Sequence, residues 1–330
     1  CALPISVETV PYDGKPYHIF FHSLVVYPEK AFTGTRSSKL YEDYMVTRDE
    51  FMKILPELYG NGFVIVDIGS LYGVRTDGTV VKKQLFVPRG KKPLIISLDD
   101  LSYYRTMSDH GFARKLVLDD NGNVATEIRE PDGTVRITRD GDIVPILDDF
   151  VAAHPDFSMN GAKGVIAVTG YDGILGYRTN RDAANGGIQE AESARKIAVR
   201  LRETGWRFAS HSYSHDKSLS TGAMGLSEFR KDTDLWDREV RPLVGDTDIF
   251  IGPFGQIFGA DDPRRKYLLS KGFRMFCGVG MERYLKYRND SVIMDRADID
   301  GYRLVKTPRR LSEYFDPAGI ADRLRRRILE

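Results

Sequence analysis

Cysteine is nearly absent from this sequence, which contains only Cys1 and Cys277 among its 330 residues. Two cysteines cannot build a disulfide framework, and they cannot supply a zinc site made of several thiolates. Cys1 also stands first, with no initiator methionine before it. This position is compatible with a lipid anchor at Cys1, as on a mature bacterial lipoprotein, or with an arbitrary boundary. The mass of the natively expressed protein would distinguish the two, because lipidation adds a large increment.

Long hydrophobic runs and an excess of one charge are missing as well. No stretch approaches the roughly 20 apolar residues that a membrane-spanning helix needs. The net charge of +1 gives no reason to expect a nucleic acid or an anionic membrane as partner. The basic run at residues 323–330 is local, and we expect it to form the solvated face of a last helix. A hydrophobic share of 42% is typical of a globular protein with an ample core.

Apolar runs alternate with amphipathic stretches along the chain. Seven apolar runs predict buried strands, at residues 18–26, 63–68, 93–98, 164–170, 206–210, 248–253 and 273–280. Between them lie predicted helices, the first of which opens with Thr47 and Glu50 spaced as a capping box and contains Pro56, which predicts a kink. Such alternation indicates a parallel sheet covered by helices. The most economical closure is a distorted (β/α) barrel of about seven strands.

One part of the chain has a different pattern. Residues 115–142 contain three alternating segments, separated by the turn sequences "DNGN" and "PDGT". These segments predict a small β-meander, inserted at about 103–142 in a single domain that spans residues 1–330.

Two carboxylates directly follow one of the apolar runs, because "PLIISL" is succeeded by Asp99 and Asp100. Adjacent carboxylates repel each other unless a cation or a proton lies between them. An isolated pair of aspartates more often only ends a strand in a turn, and the chain has three other such pairs. The pair at 99 and 100, however, is the one that follows an entirely apolar strand.

Two of the six histidines, His211 and His215, stand four residues apart after the run "WRFAS". Taken alone, they would more often be surface histidines beside a turn. Strands of a parallel barrel end at the same face, so we expect these histidines to meet the two aspartates. Two imidazoles and one carboxylate form a common hydrolytic metal set, which leaves positions open for water and substrate.

These residues resemble the polysaccharide deacetylase family, also called the NodB-homology family. The segments "ISLDD", "VIAVTG", "GWRFASHSYSH" and "FIGPFG" follow the order and approximate spacing of its motifs. In that family a T-F-D-D motif supplies a catalytic base and a metal ligand, and H-[ST]-x-x-[HD] supplies two more ligands. This sequence has Ser97 and Leu98 in place of Thr-Phe, and Ile251 where the third motif, R-x-P-[YFW], has its arginine.

The family usually places its general acid, a histidine, near the C-terminus, but no histidine follows His215 here. The run "IFFHSL" near the N-terminus, with a helix and "GFVIVDI" after it, resembles the unit that ends ordinary members. The chain thus resembles the circularly permuted branch of poly-N-acetylglucosamine deacetylases, and His22 takes the vacant role. The alternative for His22 is a core histidine bonded to backbone. His18, four residues earlier, is expected to be structural.

The resemblance implies a role for each candidate residue. The expected cofactor is a divalent metal ion, Zn²⁺ in the first place with Co, Ni, Mn or Fe as alternatives, bound by Asp100, His211 and His215. Asp99 is the expected general base and His22 the general acid. Arg296 is the candidate to replace the missing arginine, with an ordinary surface ion pair as the alternative. The expected substrate-binding residues are Tyr103, Tyr177, Pro253 and Phe254.

The implied activity is hydrolytic removal of N-acetyl groups from an amino-sugar polymer, namely peptidoglycan, a chitin-like chain or poly-N-acetylglucosamine. Such a protein is expected outside the cell or at the surface of a bacterium, as a monomer. One alternative is a carbohydrate-binding relative without turnover, which Ile251 would favour. Another is a non-haem Fe(II) oxygenase, although such sites usually carry an H-x-D/E motif, which neither His211 nor His215 begins.

Overall fold

The computed structural model describes residues 8–36, 38–180 and 187–325, which contain sixteen strands and ten α-helices; Cys1 lies outside them. The strands are β1 (Thr9–Tyr12), β2 (Tyr17–Phe21), β3 (Phe63–Ile65), β4 (Tyr72–Val74), β5 (Val80–Lys82), β6 (Leu85–Pro88), β7 (Lys92–Leu98), β8 (Lys115–Leu118), β9 (Val124–Arg129), β10 (Val135–Thr138), β11 (Gly164–Val168), β12 (Trp206–Ser210), β13 (Ile249–Ile251), β14 (Met275–Val279), β15 (Leu285–Tyr287) and β16 (Val292–Asp298). The helices are α1 (Pro28–Ala31), α2 (Lys39–Tyr44), α3 (Arg48–Gly60), α4 (Ile143–Ala153), α5 (Gly187–Glu203), α6 (Ser218–Thr221), α7 (Leu226–Glu239), α8 (Arg241–Val244), α9 (Pro263–Ser270) and α10 (Gly301–Lys306).

Seven parallel strands close into a barrel, which confirms the predicted fold class. The order around the ring is β2, β7, β11, β12, β13, β14 and β16, and β16 pairs with β2 to complete it. Between β7 and β11 the ring closes at two pairs, Ser97 with Val165 and Leu98 with Ile166. All of these pairings are parallel, so the carboxyl ends of the barrel strands share one face.

The predicted number of barrel strands is right, but one member of the set is different. The run at residues 63–68 forms β3, which pairs with the first half of β7 and lies outside the closed ring. The ring instead includes β16, whose sequence contains Asp295 and Arg296 and therefore does not resemble a buried strand. Arg296 is nevertheless fully buried, since its charge is paired inside the barrel with Asp99.

Side chains on the barrel strands alternate between the interior and the surface that the helices cover. Ile95, Ala209 and Met294 belong to the interior core, which is separate from the larger core beneath the helices. The same alternation brings polar residues inward nearer the carboxyl ends of these strands. The residues that continue the inward series are Asp99, His211 and Arg296.

Helix α3 begins as the capping box predicted. The Thr47 side chain accepts a hydrogen bond from the Glu50 amide, and the Glu50 carboxylate accepts one from the Thr47 amide. The helix runs without interruption through Pro56 to Gly60. Among the helices of the described residues, none combines the length and apolar character that a membrane crossing needs.

Strands β8, β9 and β10 form a separate antiparallel sheet with β9 in the centre. Its two turns follow the hairpin sequences, and Gly122 and Gly133 take positive φ angles there. The sheet packs against α4 and α5 beside the barrel. Two further small sheets, β1 with β6 and β4 with β5, were not predicted from the sequence.

The basic run near the C-terminus corrects one expectation. Arg325 is fully buried rather than solvated, and its guanidinium donates two hydrogen bonds to the equally buried Glu50 carboxylate. Burial of either charge alone would be costly, so each residue depends on the other. Residues 326–330 of this run lie outside the described part of the chain.

Candidate metal centre

The candidate residues lie at the carboxyl-terminal face of the barrel, where loops leave the strands. Asp99 and Asp100 follow β7, and His211 follows β12 with His215 in the next turn. His22 follows β2, while Arg296 is still within β16. The structure therefore brings together residues that are far apart in the sequence.

Asp100, His211 and His215 could together hold a metal ion. Each offers one ligand atom, and these atoms all lie within 4.8 Å of one another. The His215 Nε2 atom is 3.6 Å from the Asp100 Oδ2 atom, and the two imidazole rings are 5.0 Å apart between centroids. Two imidazoles and one carboxylate suit Zn²⁺, which commonly takes three protein ligands in a catalytic site.

His211 is oriented as a metal ligand should be. Its Nδ1 atom lies 2.8 Å from the Ile251 carbonyl oxygen, so Nδ1 carries the proton that is donated to it. The Nε2 lone pair is then directed to the cluster. Burial of the ring lowers the pKa of His211, which favours the neutral form that binds metals. Ile251 thus contributes its backbone to the site, although its side chain is apolar.

The loops that carry the ligands use unusual backbone conformations. Asp100, Ser212 and His215 have φ angles of 58°, 57° and 49°, a left-handed region that residues other than glycine rarely occupy. Local hydrogen bonds hold this geometry, because the Ser212 hydroxyl accepts from the His215 amide at 3.0 Å. The Asp232 carboxylate, on α7, accepts from two further amides of the same turn. Nothing in the sequence pattern of α7 had singled out Asp232.

Asp99 lies beside the cluster and is ionised. Arg296 donates to both of its carboxylate oxygens, with nitrogen–oxygen distances of 2.6 and 2.9 Å. Burial alone would raise the pKa of Asp99, but the charge and hydrogen bonds of Arg296, together with the nearby histidines, outweigh burial and hold the pKa well below the ordinary value. The Asp99 Oδ2 atom is 4.0 Å from the His211 Nε2 atom. A water molecule at the metal would therefore lie within reach of a deprotonated carboxylate.

Arg296, the candidate to replace the missing arginine of the third motif, contacts the expected general base Asp99. It is completely buried, which excludes the alternative of a surface ion pair. It also donates to the Gly278 carbonyl and to the Ser97 hydroxyl, and its guanidinium lies 4.2 Å from the centre of the Phe20 ring. These contacts fix the guanidinium plane, and with it the orientation of Asp99.

His22 lies at the edge of the same site. Its Nδ1 atom is 3.1 Å from the Tyr44 carbonyl oxygen, which leaves Nε2 as the nitrogen without a backbone partner. Burial raises the pKa of Asp99 and Asp100, whereas nearby positive charges lower it. The charge of His22 is one of the smaller contributions to this lowering. His18 lies one layer deeper, bonded to Ser97, and burial lowers its pKa well below the ordinary value.

The predicted substrate-binding residues differ in how much of their surface is exposed. Phe254 is 52% exposed and lies with its ring 4.4 Å from that of His215, while Pro253 is buried beneath it. Tyr103 and Tyr177 are buried, and their hydroxyls donate to Asp142 and to the Leu116 carbonyl. These two tyrosines therefore stabilise the core and offer no surface to a sugar.

Two other tyrosines reach the site, and the sequence did not distinguish them from their neighbours. The Tyr104 hydroxyl donates to Asp100 at 2.5 Å and lies 2.9 Å from the Thr169 hydroxyl. Tyr171 stacks on Tyr104 with ring centroids 5.0 Å apart, and 43% of Tyr171 is exposed. The order along the face is thus Tyr171, Tyr104, the candidate metal ligands and Phe254, with exposed aromatic rings on both sides.

Comparisons with known proteins concern the fold. No protein-family model matches the chain, and neither does any curated protein sequence. The deacetylase PplD of Streptococcus pyogenes, solved in complex with acetate, aligns with 93% of this chain and 100% of its own, at a TM-score of 0.50 and 13% identity. IcaB from Ammonifex degensii covers 87% of this chain and 92% of its own, at a TM-score of 0.47 and 14% identity. A de-N-acetylase from Aggregatibacter actinomycetemcomitans covers 87% and 96%, at a TM-score of 0.45 and 13% identity.

At such identities, the similarity to PplD establishes the fold alone. The chain therefore has a deacetylase-like barrel, as the resemblance in its motifs implied. The candidate residues lie where strands of this barrel end, the place where barrels of this type carry their chemistry.

Proposed function

We propose that this protein is a metal-dependent hydrolase that removes N-acetyl groups from an amino-sugar polymer. The observation that carries the proposal is the convergence of Asp100, His211 and His215 to within 4.8 Å, with the ionised Asp99 alongside. A divalent cation held by these three ligands would polarise the acetamide carbonyl and make a water molecule more acidic. The deacetylase-like fold and the order of the motifs support the same reaction class.

The residues of the chain divide the proton transfers between them. Asp99 accepts a proton from the attacking water, and Arg296 keeps the carboxylate ionised and aligned for it. His22 donates a proton from Nε2 to the departing amine as the carbon–nitrogen bond breaks, so the products are acetate and a free amino sugar. A backbone amide near Phe254 is our candidate for stabilising the oxyanion.

Two exposed aromatic rings, Tyr171 and Phe254, flank the ligands and suit a polymer that crosses the site. Sugar rings stack on aromatic faces, so a longer chain would gain contacts on both sides. We retain the expected location at a bacterial cell surface as part of this proposal. The alternative of a binding protein without turnover was favoured by Ile251, but the contact of Arg296 with Asp99 supports an active enzyme.

Acetate release tests the proposal. Purified protein would be incubated with chitin oligomers, peptidoglycan fragments and poly-N-acetylglucosamine, after elemental analysis of its metal content. We expect about one Zn²⁺ per chain and acetate release that stops on chelation and returns with added metal. Asp99→Asn should keep the metal and lose about 10²- to 10⁴-fold in turnover. Metal binding without acetate release from any of the three substrates would refute the proposed activity.

A further inference from the structure

The environment of His22 extends to a buried ion pair near the end of the chain. His22 Nδ1 hydrogen-bonds to the carbonyl oxygen of Tyr44, the last residue of α2. The last carbonyls of a helix have no partners within it and must find them elsewhere. One of these carbonyls, that of Tyr44, therefore sets the position of the His22 ring.

Arg325 holds the backbone on either side of that carbonyl. Its guanidinium donates to the Glu42 carbonyl oxygen, two residues before Tyr44, and to the Met45 carbonyl oxygen at 2.7 Å. The same guanidinium binds both oxygens of Glu50, at 2.8 and 2.9 Å. Arg325 thus bonds four acceptor atoms at once, which its five N–H donors allow and the three donors of an ammonium group do not.

Glu50 ties this arrangement to the fold. Its carboxylate also accepts from the amides of Thr47 and Asp322, and neither Glu50 nor Arg325 has exposed surface. The close packing leaves little room for movement, because a Cβ atom at Gly301 would collide with both Arg325 and the Glu42 carbonyl oxygen. Segment 42–45 is consequently held by Arg325, and the Tyr44 carbonyl within it contacts His22.

We propose that Arg325 is a positioning residue for His22, acting through the Tyr44 carbonyl. This inference rests on the proposed function, in which His22 protonates the leaving amine. Arg325 itself touches neither the metal ligands nor the expected substrate surface. Its role is to keep the Nδ1 proton of His22 engaged, so that Nε2 faces the reacting group in the correct tautomer.

The test combines kinetics with the state of the histidine ring. Arg325→Lys keeps the charge beside Glu50 but removes the fork of donors. We expect kcat to fall about tenfold to a hundredfold while KM and metal content stay close to those of the original protein. In a His22→Ala background, the same substitution should change kcat by less than about twofold, because the residue it positions is gone.

A matched control separates positioning from general damage. Arg265→Lys changes another buried arginine, which pairs with Asp290 away from His22, and it should leave kcat unchanged. If Arg325→Lys folds poorly, the pair Glu50→Gln and Arg325→Met removes both charges while glutamine can retain the capping box. We expect the pair to give the same loss of kcat. The proposal would be overturned if Arg325→Lys lowered kcat equally with and without His22, or if the control Arg265→Lys lowered kcat by the same amount.

Nitrogen NMR of the histidines gives a readout that needs no activity. In the original protein the neutral His22 ring should show a protonated Nδ1 and an unprotonated Nε2, and Arg325→Lys should produce a mixture of tautomers. An unchanged His22 spectrum in Arg325→Lys would overturn the positioning role even in a protein with no acetate release. Failure of the proposed function alone would leave the change in tautomer intact.

Discussion

Arg296 and Asp99 lie 197 positions apart in the chain and form a double hydrogen bond inside the barrel. The family to which the motifs are similar has an arginine at the end of the strand that is β13 here, and this chain has Ile251 at that position. Arg296 reaches the carboxylate from β16 instead, on a different strand of the same ring. A closed barrel allows such an exchange, because the ends of all its strands face a common site.

The first prediction concerns this pair. Arg296→Lys should lower kcat/KM by about 10²-fold, because one ammonium group cannot bond both oxygens of Asp99. The pKa of Asp99 should rise as the charge is held less closely. A carboxyl with a higher pKa needs a higher pH to lose its proton, so the acid limb of the kcat/KM profile should move to higher pH.

The control for this change is Arg207→Lys. Arg207 also pairs with an aspartate, Asp67, but this pair is partly exposed. It should leave the pH profile where it was. A profile of Arg296→Lys that coincides with that of the original protein would show that Asp99 is not the base whose ionisation limits the reaction.

The second prediction concerns Tyr104, which contacts a ligand and not the metal position itself. Tyr104→Phe removes the hydrogen bond to Asp100 and should weaken Zn²⁺ binding by about 10- to 100-fold, as loss of a group that orients a ligand usually does. Competition with a fluorescent chelator would measure the change. Tyr41→Phe, which loses a hydroxyl bonded to the Thr106 carbonyl, is the matched control and should bind Zn²⁺ normally. Equal affinities for both variants would contradict the proposed ligand set.

The third prediction separates an exposed tyrosine from a buried one. Tyr171→Ala should raise KM for a long acceptor more than for a short one, because only the long chain reaches the lost stacking surface. Tyr177→Ala should act differently, since Tyr177 is buried in the core. It should lower the thermal stability and affect long and short acceptors alike. If Tyr171→Ala raised both KM values equally, no polymer contact could be assigned to it.

The fourth prediction concerns a buried carboxyl away from the ligands. Asp142 accepts hydrogen bonds from the Leu24 amide and the Tyr103 hydroxyl, but burial dominates and raises its pKa to about 6. The folded state therefore binds this proton more tightly than the unfolded chain does. Its contribution to stability is complete below about pH 4 and is lost as pH rises through about 6, by on the order of 2 to 3 kcal/mol.

Urea unfolding of the original protein and of Asp142→Asn at several pH values would measure this contribution. The stability of the original protein relative to the variant should fall between about pH 4 and 6. Asp132→Asn is a control for which the pH dependence of stability should have the opposite sign. Hydrogen bonds from Thr134 lower the pKa of Asp132, whereas burial raises that of Asp142. A relative stability that stayed constant over this range would mean that Asp142 titrates normally.

Much of the site could be predicted because its chemistry follows strand ends. Asp100, His211 and His215 each follow an apolar run, and the parallel topology brings such positions to one face. Arg296 was harder to place, because β16 carries charges at positions that a buried strand normally fills with apolar residues. Only pairing with Asp99 makes that burial tolerable, and pairing between distant residues is not visible in a local pattern.

The tyrosines show where local sequence reasoning fails. Tyr103 and Tyr104 are adjacent and chemically identical, yet one is in the core and the other at the ligands. Tyr103 has a φ of 49°, so the chain turns there in a way that an extended or helical periodicity does not predict. Tyr171 and Tyr177 differ in the same way within one glycine-rich loop. Exposure in such loops depends on the turns, which the composition of the loop does not specify.

The left-handed residues around the ligands have an evolutionary consequence. Asp100, Ser212, His215 and Phe254 hold φ angles between 49° and 58°, and each such residue costs about 1 kcal/mol or more of folding free energy. Selection for heat resistance alone would therefore find gains at these positions by admitting glycine or asparagine. At Asp100 and His215 such a gain would remove a candidate ligand, and at Ser212 and Phe254 it would loosen a loop beside the site. A hardier descendant of this chain would be expected to turn over more slowly.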